Sequence, residues 1–246
     1  MRVKLVVAYD GTNYCGWQLQ NNGLTIEAVL NRTLSALCGE EIQVIGASRT
    51  DSGVHAYGNV AVFDTNTRIP AEKISYALNQ RLPADIRVQE SRQVAEEFHP
   101  RHCVSRKTYE YRILNSSFEQ PIGRQYVHFI HRPLNASLMQ EAGTYFLGEH
   151  DFKSFCSAGS NVKDTVRTIY GLTVEKEASY ITIRVCGSGF LYNMVRIIAG
   201  TLIEIGFGTY PPAHIRDIIE AENRAAAGPT APACGLSLIN IEYAAD

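Results

Sequence analysis

The chain has 246 residues, a length that suits one large domain or two modest ones sharing a cleft, and its 45% hydrophobic and 20% charged residues are enough to bury a sizeable core. No apolar run approaches the ~18 residues that crossing a bilayer takes, and the apolar stretch that follows Arg2 stops after about six residues without a small-residue cleavage site, so a buried strand is expected there and not a signal peptide. A net charge of -2 does not announce a nucleic-acid binder.

In chain order, Lys4 to Tyr9 reads as a strand ending at the turn signal Asp10-Gly11. Ile26, Val29, Leu30, Leu34 and Leu37 fall on one helix face, with Thr25 as N-cap and Gly39 as stop. Strands are expected at Ile42 to Ile45 and Asn59 to Thr65, separated by a polar, Gly-containing segment. A second helix opens at Pro70, carries Ile74, Ala77, Leu78 and Leu82 on one side, and closes at Pro83; Ile86 to Val94 is a further strand. The second half repeats the rhythm: strands at Lys107 to Leu114 and Tyr126 to Ile130, and a helix capped by Asn135 running through Leu147. An antiparallel pair follows at Val166 to Glu175 and Tyr180 to Cys186. An apolar helix near Leu191 to Ile205, a polar one near Pro212 to Arg224 and a last strand at Leu236 to Tyr243 complete the chain.

This alternation predicts an α+β fold: two similar halves, 1–105 and 106–246, forming a central, mainly antiparallel sheet with helices packed on one side and a groove for an extended ligand. Six scattered cysteines form no Cys-x-x-Cys pair and fit no zinc site, so free thiols in a cytosolic protein are expected. No histidine-rich signature flanks any of them, which argues against a catalytic thiol.

The average charge conceals a pattern. Residues 98–132 hold six Lys or Arg (Arg101, Arg106, Lys107, Arg112, Arg124, Arg132) against Glu110 and Glu119, a net +4 that leaves -6 elsewhere. Six aromatics and four histidines share that window. Basic residues interleaved with aromatics suit a polyanion with unstacked bases; a strand pair with one solvated basic face gives the same composition.

The segment Ala47-Ser48-Arg49-Thr50-Asp51-Ser52-Gly53-Val54-His55-Ala56 lies between two expected strands, where a loop on a rigid scaffold carries function. Arg49 and Asp51, two apart in an extended segment, point to the same side. Taken as residues alone, an Asp before Ser-Gly is a turn former. Asp51-Ser52-Gly53 also matches the Asp-Ser/Thr-Gly of aspartic proteases, but that chemistry needs two carboxylates sharing a proton. No second copy exists: Asp164-Thr165 is followed by Val166, Asp10-Gly11 lacks the middle residue, and homodimeric chains that supply it in trans are much shorter. Neither a Gly-x-Gly-x-x-Gly after a strand nor a Walker lysine loop is present.

Residues 48–56 resemble the signature of TruA-type tRNA pseudouridine synthases, Arg-Thr-Asp-Ala/Ser-Gly-Val-His-Ala after Gly or Ser. The resemblance continues in order along the chain. Its blocks are Tyr9-Asp10-Gly11-Thr12, Gly16-Trp17-Gln18, Phe98-His99-Pro100-Arg101, Lys107-Thr108-Tyr109-Glu110-Tyr111-Arg112, His150-Asp151-Phe152, Ser154-Phe155, Gly189 to Arg196, Gly235-Leu236 and Leu238. It implies that Asp51 is the essential carboxylate, that Tyr109 packs on the target uracil, that Arg196 pairs with the aspartate, and that Arg49 positions RNA or the extruded nucleotide. It also implies a cytoplasmic homodimer without metal or cofactor, acting on uridines at positions 38 to 40 in the anticodon arm of tRNA. The residues allow plainer roles. Arg196 flanked by Val195, Ile197 and Ile198 snorkels along its own methylenes, Tyr109 fills a core, and His55 holds the loop. Tyr111 lies on the same face as Tyr109, and only the motif chooses between them. A non-catalytic RNA-binding protein of the same fold is the remaining alternative.

Overall fold

The computed structural model describes residues 1–159 and 162–244. The chain forms two compact units, one of Met1–Val104 with the chain from Leu238 onward, the other of Ser105–Ser237.

The first unit begins with β1 (Arg2–Tyr9), where Val3, Leu5, Val7 and Tyr9 are all buried, one face of a strand with its two-residue period. Helix α1 (Ile26–Cys38) starts where expected: Thr25 accepts a hydrogen bond from the Ala28 N–H at 3.3 Å, and Gly39, at φ +72, closes the last turn onto the Ser35 carbonyl. The expected strand at Ile42 to Ile45 shrinks to β2 (Ile45–Gly46). Its N–H groups are taken by side chains of α1, Ile42 by Ser35 Oγ at 2.9 Å and Val44 by Asn31 Oδ1 at 2.8 Å, so no ladder is left for them to join. Strand β3 (His55–Asp64) begins four residues earlier than Asn59. Helix α2 (Ala71–Asn79) ends before Leu82, and the side-chain amide of Asn79 at its end reaches the backbone of Val88, bonding its N–H and its carbonyl at 2.8 Å each. Val88 belongs to β4 (Ile86–Val94), which agrees with expectation.

The second unit carries β5 (Ser105–Asn115), the short β6 (His128–Ile130) and α3 (Ala136–Gly143), whose Asn135 cap accepts from the Ser137 and Leu138 N–H groups. Strand β7 (Gly148–Asp151), a glycine and three polar residues, carries no apolar alternation and is not expected from the sequence. Strands β8 (Val166–Glu177) and β9 (Tyr180–Gly187) form the expected hairpin. Helix α4 (Met194–Gly206) starts later than Leu191 because Asn193 holds a left-handed φ of +61 immediately before it. Helix α5 (His214–Glu220) falls short of Arg224, where Glu222 turns left-handed at φ +44. Strand β10 (Leu236–Tyr243) closes the described chain.

The first unit orders its strands β4-β1-β3-β10, with β2 on β3; the second orders them β5-β9-β8-β7, with β6 on β5. Where the register is resolved, every pairing is antiparallel except β5 with β6. The architecture is therefore α+β and mainly antiparallel, as the pattern predicts. The second core gathers around α4, whose Ile197, Ile198, Ala199, Leu202 and Ile205 are fully buried, and around the ring cluster Phe146, Phe152 and Phe155. All six cysteines are free thiols.

Candidate active site

Asp51 stands on the connection 47–54 between β2 and β3. Ser48 and Thr50 are buried, Arg49 is exposed and Asp51 half-buried, so the two-residue alternation holds and Arg49 shares a side with Asp51. Beyond Asp51 the chain turns: the Val54 N–H donates to the Asp51 carbonyl at 3.1 Å, with Gly53 at φ +78 in the turn.

The loop is tied down from three directions. From β3, the fully buried Asn59 binds Ser48 twice: its Oδ1 accepts from the Ser48 N–H at 3.3 Å and its Nδ2 donates to the Ser48 carbonyl at 3.0 Å. The same Nδ2 donates to Tyr9 Oη at 3.2 Å, and that phenol lies 2.7 Å from Thr50 Oγ1. From the segment before α1, the Trp17 N–H donates to the Thr50 carbonyl at 3.0 Å. Gly16 makes that approach possible, since a Cβ there would stand 2.6 Å from the Thr50 carbonyl oxygen and 3.0 Å from the Asp51 carbonyl carbon. Third, the Tyr14 carbonyl accepts from Ser52 Oγ at 3.2 Å and from the Gly53 N–H at 3.3 Å, while the Tyr14 hydroxyl donates to Asp85 at 2.7 Å. Burial and that carboxylate together push the Tyr14 phenol far above its usual pKa, so the donor keeps its proton throughout the physiological range.

His55, buried at the start of β3, accepts the Gly11 N–H on Nδ1 at 3.0 Å. Asp10 Oδ1 is 3.1 Å from the same nitrogen but already accepts from the Thr12 N–H and hydroxyl. His55 holds the loop that precedes Tyr14, the plainer of the roles open to it.

In the second unit, Tyr109 on β5 is 8% exposed and meets Phe190 edge to face, ring centroids 5.1 Å apart. Tyr111 differs from it sharply. It is fully buried, its hydroxyl donates to the Pro232 carbonyl at 2.9 Å, and burial raises its pKa well beyond the ordinary phenol value. Tyr111 is thus a core aromatic with a committed hydroxyl. Arg196, in the first turn of α4, is half-buried and does not trail along the helix surface. Its Nε donates to the Ala231 carbonyl at 2.8 Å, and its Nη1 to Asn193 Oδ1 at 2.8 Å. The Arg196 carbonyl in turn accepts from the Ala231 N–H at 3.1 Å, fixing both ends of the residue. Of the basic window, Arg106, Arg112 and Arg132 stand over the rings of Tyr170, Tyr180 and Phe207 at 4.8, 5.3 and 4.5 Å.

Arg49 and Asp51 are marked by their motif, whereas Tyr9, Tyr14, Asn59 and Asp85 lie up to dozens of positions away and meet the loop only through the fold. Among the described residues, no group of three or more His, Cys, Asp or Glu side chains is placed to hold a metal ion, and no helix is long and apolar enough to cross a membrane.

A family model described as tRNA pseudouridine synthase matches residues 5–102 and 142–244. The chain is 49% identical over 241 residues to tRNA pseudouridine synthase A of Thermoanaerobacter sp. (strain X514), covering 98% of this chain and 99% of that one. It is 50% identical over 243 residues to the protein of the same name from Ruminiclostridium cellulolyticum and 48% identical over 241 to that of Acetivibrio thermocellus, with the same coverage. Full-length relatives of near-equal size and a family model matching on both sides of the chain's midpoint agree with the loop and the α+β architecture: the chain belongs to the tRNA pseudouridine synthase family.

Proposed function

We propose that this protein isomerises uridine to pseudouridine at positions 38, 39 and 40 in the anticodon arm of tRNA, with Asp51 as the catalytic carboxylate. The reaction breaks the C1′–N1 bond, turns the uracil, and joins C1′ to C5; the proton on C5 leaves and N1 regains one. Nothing is oxidised and no group leaves the nucleotide, so the chemistry asks for a carboxylate, a surface to hold the detached base, and room for an extruded nucleotide. The carboxylate can attack C1′, add to the pyrimidine ring or remove the C2′ proton.

Residues 1–105 supply the carboxylate, and residues from 106 onward supply Tyr109 and Arg196. Tyr109 stacks on the uracil, an interaction worth roughly 1–3 kcal/mol in comparable base–aromatic contacts. Arg196 keeps Asp51 ionised, since a cation within ~4–6 Å lowers a carboxyl pKa by about 1–3 units. Arg49 holds the phosphate or fills the space left in the helix. The enzyme works as a homodimer in the cytoplasm, without metal or cofactor. The observation that carries this reading is the family match joined to the Asp51 loop, whose inward residues are fixed while Arg49 and Asp51 are presented.

Tritium release from C5-labelled uridine in tRNA tests it. The wild-type protein is expected to release label, and Asp51→Ala to release none. Release by Asp51→Ala at the wild-type rate, or tRNA binding without any release by the wild type, overturns the proposal.

A further inference from the structure

The Asp51 loop is gripped at alternate residues, and one part of that grip is a side-chain chain with no hydrophobic reason to exist. Asn59 is fully buried in the middle of β3, a position where a valine or isoleucine would serve the sheet as well. Burying an amide costs free energy unless each polar atom is bonded. Here its atoms are spent on the loop: both backbone groups of Ser48 and the phenol of Tyr9, which in turn reaches the hydroxyl of Thr50. Tyr9 is itself 5% exposed at the end of β1, its ring packed 5.9 Å from Trp17, so neither side chain has freedom to drift. Ser48 and Thr50 thus flank Arg49, and Thr50 adjoins Asp51, with their inward groups locked to two strands of the sheet.

We propose that Tyr9 and Asn59 are positioning residues for the isomerisation, holding the loop through Ser48 and Thr50 so that Asp51 is presented in one geometry. This rests on the reading of Asp51 as the catalytic carboxylate. The physical stake is alignment: an error of about 1 Å in placing a catalytic group costs on the order of 10²-fold in rate. Removing the Tyr9 hydroxyl cuts the links to Thr50 Oγ1 and to Asn59 Nδ2 while leaving the ring in the core.

The test is steady-state and single-turnover tritium release with Tyr9→Phe, Thr50→Val, Thr50→Ser and Tyr9→Phe/Thr50→Val, each checked by circular dichroism to be folded at the assay temperature. Tyr9→Phe and Thr50→Val are expected to lower kcat about 10-fold or more, with KM for tRNA unchanged. Thr50→Ser, which keeps the hydroxyl, restores most of the rate, and the double variant falls no further than the worse single one because both remove the same link. Wild-type kcat in Tyr9→Phe, a loss carried by KM alone, or losses that multiply in the double variant overturn the inference. Asp51→Asn in the same assay separates the two layers. Activity retained there defeats the assignment of Asp51 itself, whereas an inactive Asp51→Asn beside a fully active Tyr9→Phe defeats only the positioning role.

Discussion

Lys4 is a cation placed inside a sheet. It is 5% exposed on β1, paired in register with Arg92 of β4, and its ammonium stands 5.5 and 5.8 Å from the ring centres of Tyr243 and Phe98. Burial, with Arg92 adding repulsion against the pull of Glu90, lowers its pKa from 10.5 to about 8. Between those two values the unfolded chain holds a proton that the folded one releases, so stability rises with pH across that window and the full penalty applies below it. The two rings favour the charged form and return part of the cost. Lys4→Met is therefore expected to stabilise the protein at pH 7 by about 1–2 kcal/mol, with the two melting curves converging as pH approaches 10; thermal unfolding from pH 7 to 10 checks it. At this scale the sequence was partly legible. Arg49 and Asp51 declare themselves by spacing and motif, because a two-residue period is local. Tyr9 and Asn59 do not, because a tyrosine ending a strand and an asparagine inside one gain their meaning from Ser48 and Thr50, which only folding brings beside them.

Most elements were readable because their signals are short-range: the Thr25 cap, the Asn135 cap and the alternation of β1 each act within a turn or a strand. Two of the failures share a cause, the capture of backbone groups by a side chain from a neighbouring element, whereas α4 and α5 are bounded by the left-handed Asn193 and Glu222. Ser35 and Asn31 capture the N–H groups of 42 and 44, and the Asn79 side chain reaches from its helix to β4. Helix α4 shows the same logic in its packing. Gly200 faces the chain at Pro229, where an added Cβ would stand 1.8 Å from the Pro229 carbonyl oxygen, and Thr201 Oγ1 accepts from the Gly228 N–H at 3.0 Å. That segment continues to Ala231, which grips Arg196 at both its side chain and its backbone. Gly200→Ala is expected to push the segment off the helix, costing about 1–3 kcal/mol in denaturant unfolding and lowering the tritium-release rate through Arg196.

For the molecule as a whole, the net charge of -2 gives no hint of a polyanionic substrate, and the +4 window does. Several of its cations lie over aromatic rings, Arg106 over Tyr170, Arg112 over Tyr180 and Arg132 over Phe207. tRNA affinity is expected to fall steeply as salt rises, and Arg106→Gln to weaken binding and reduce the log–log salt slope by about 0.7–0.9, one phosphate contact, in filter-binding or fluorescence titrations. What no local pattern could announce is the return of β10. Its residues read plainly as a strand, but pairing with β3 joins Leu236–Tyr243 to His55–Asp64, across every strand of the second unit. The return has a consequence during synthesis. When the ribosome has delivered residues 1–104, the far edge of β3 has only the two residues of β2 beside it and must wait more than a hundred further residues for its proper neighbour. Through that interval the emerging polypeptide carries an open template for wrong partners. The strand that the Asp51 loop feeds is completed last, so a nascent chain released early leaves that edge unpaired and prone to aggregation.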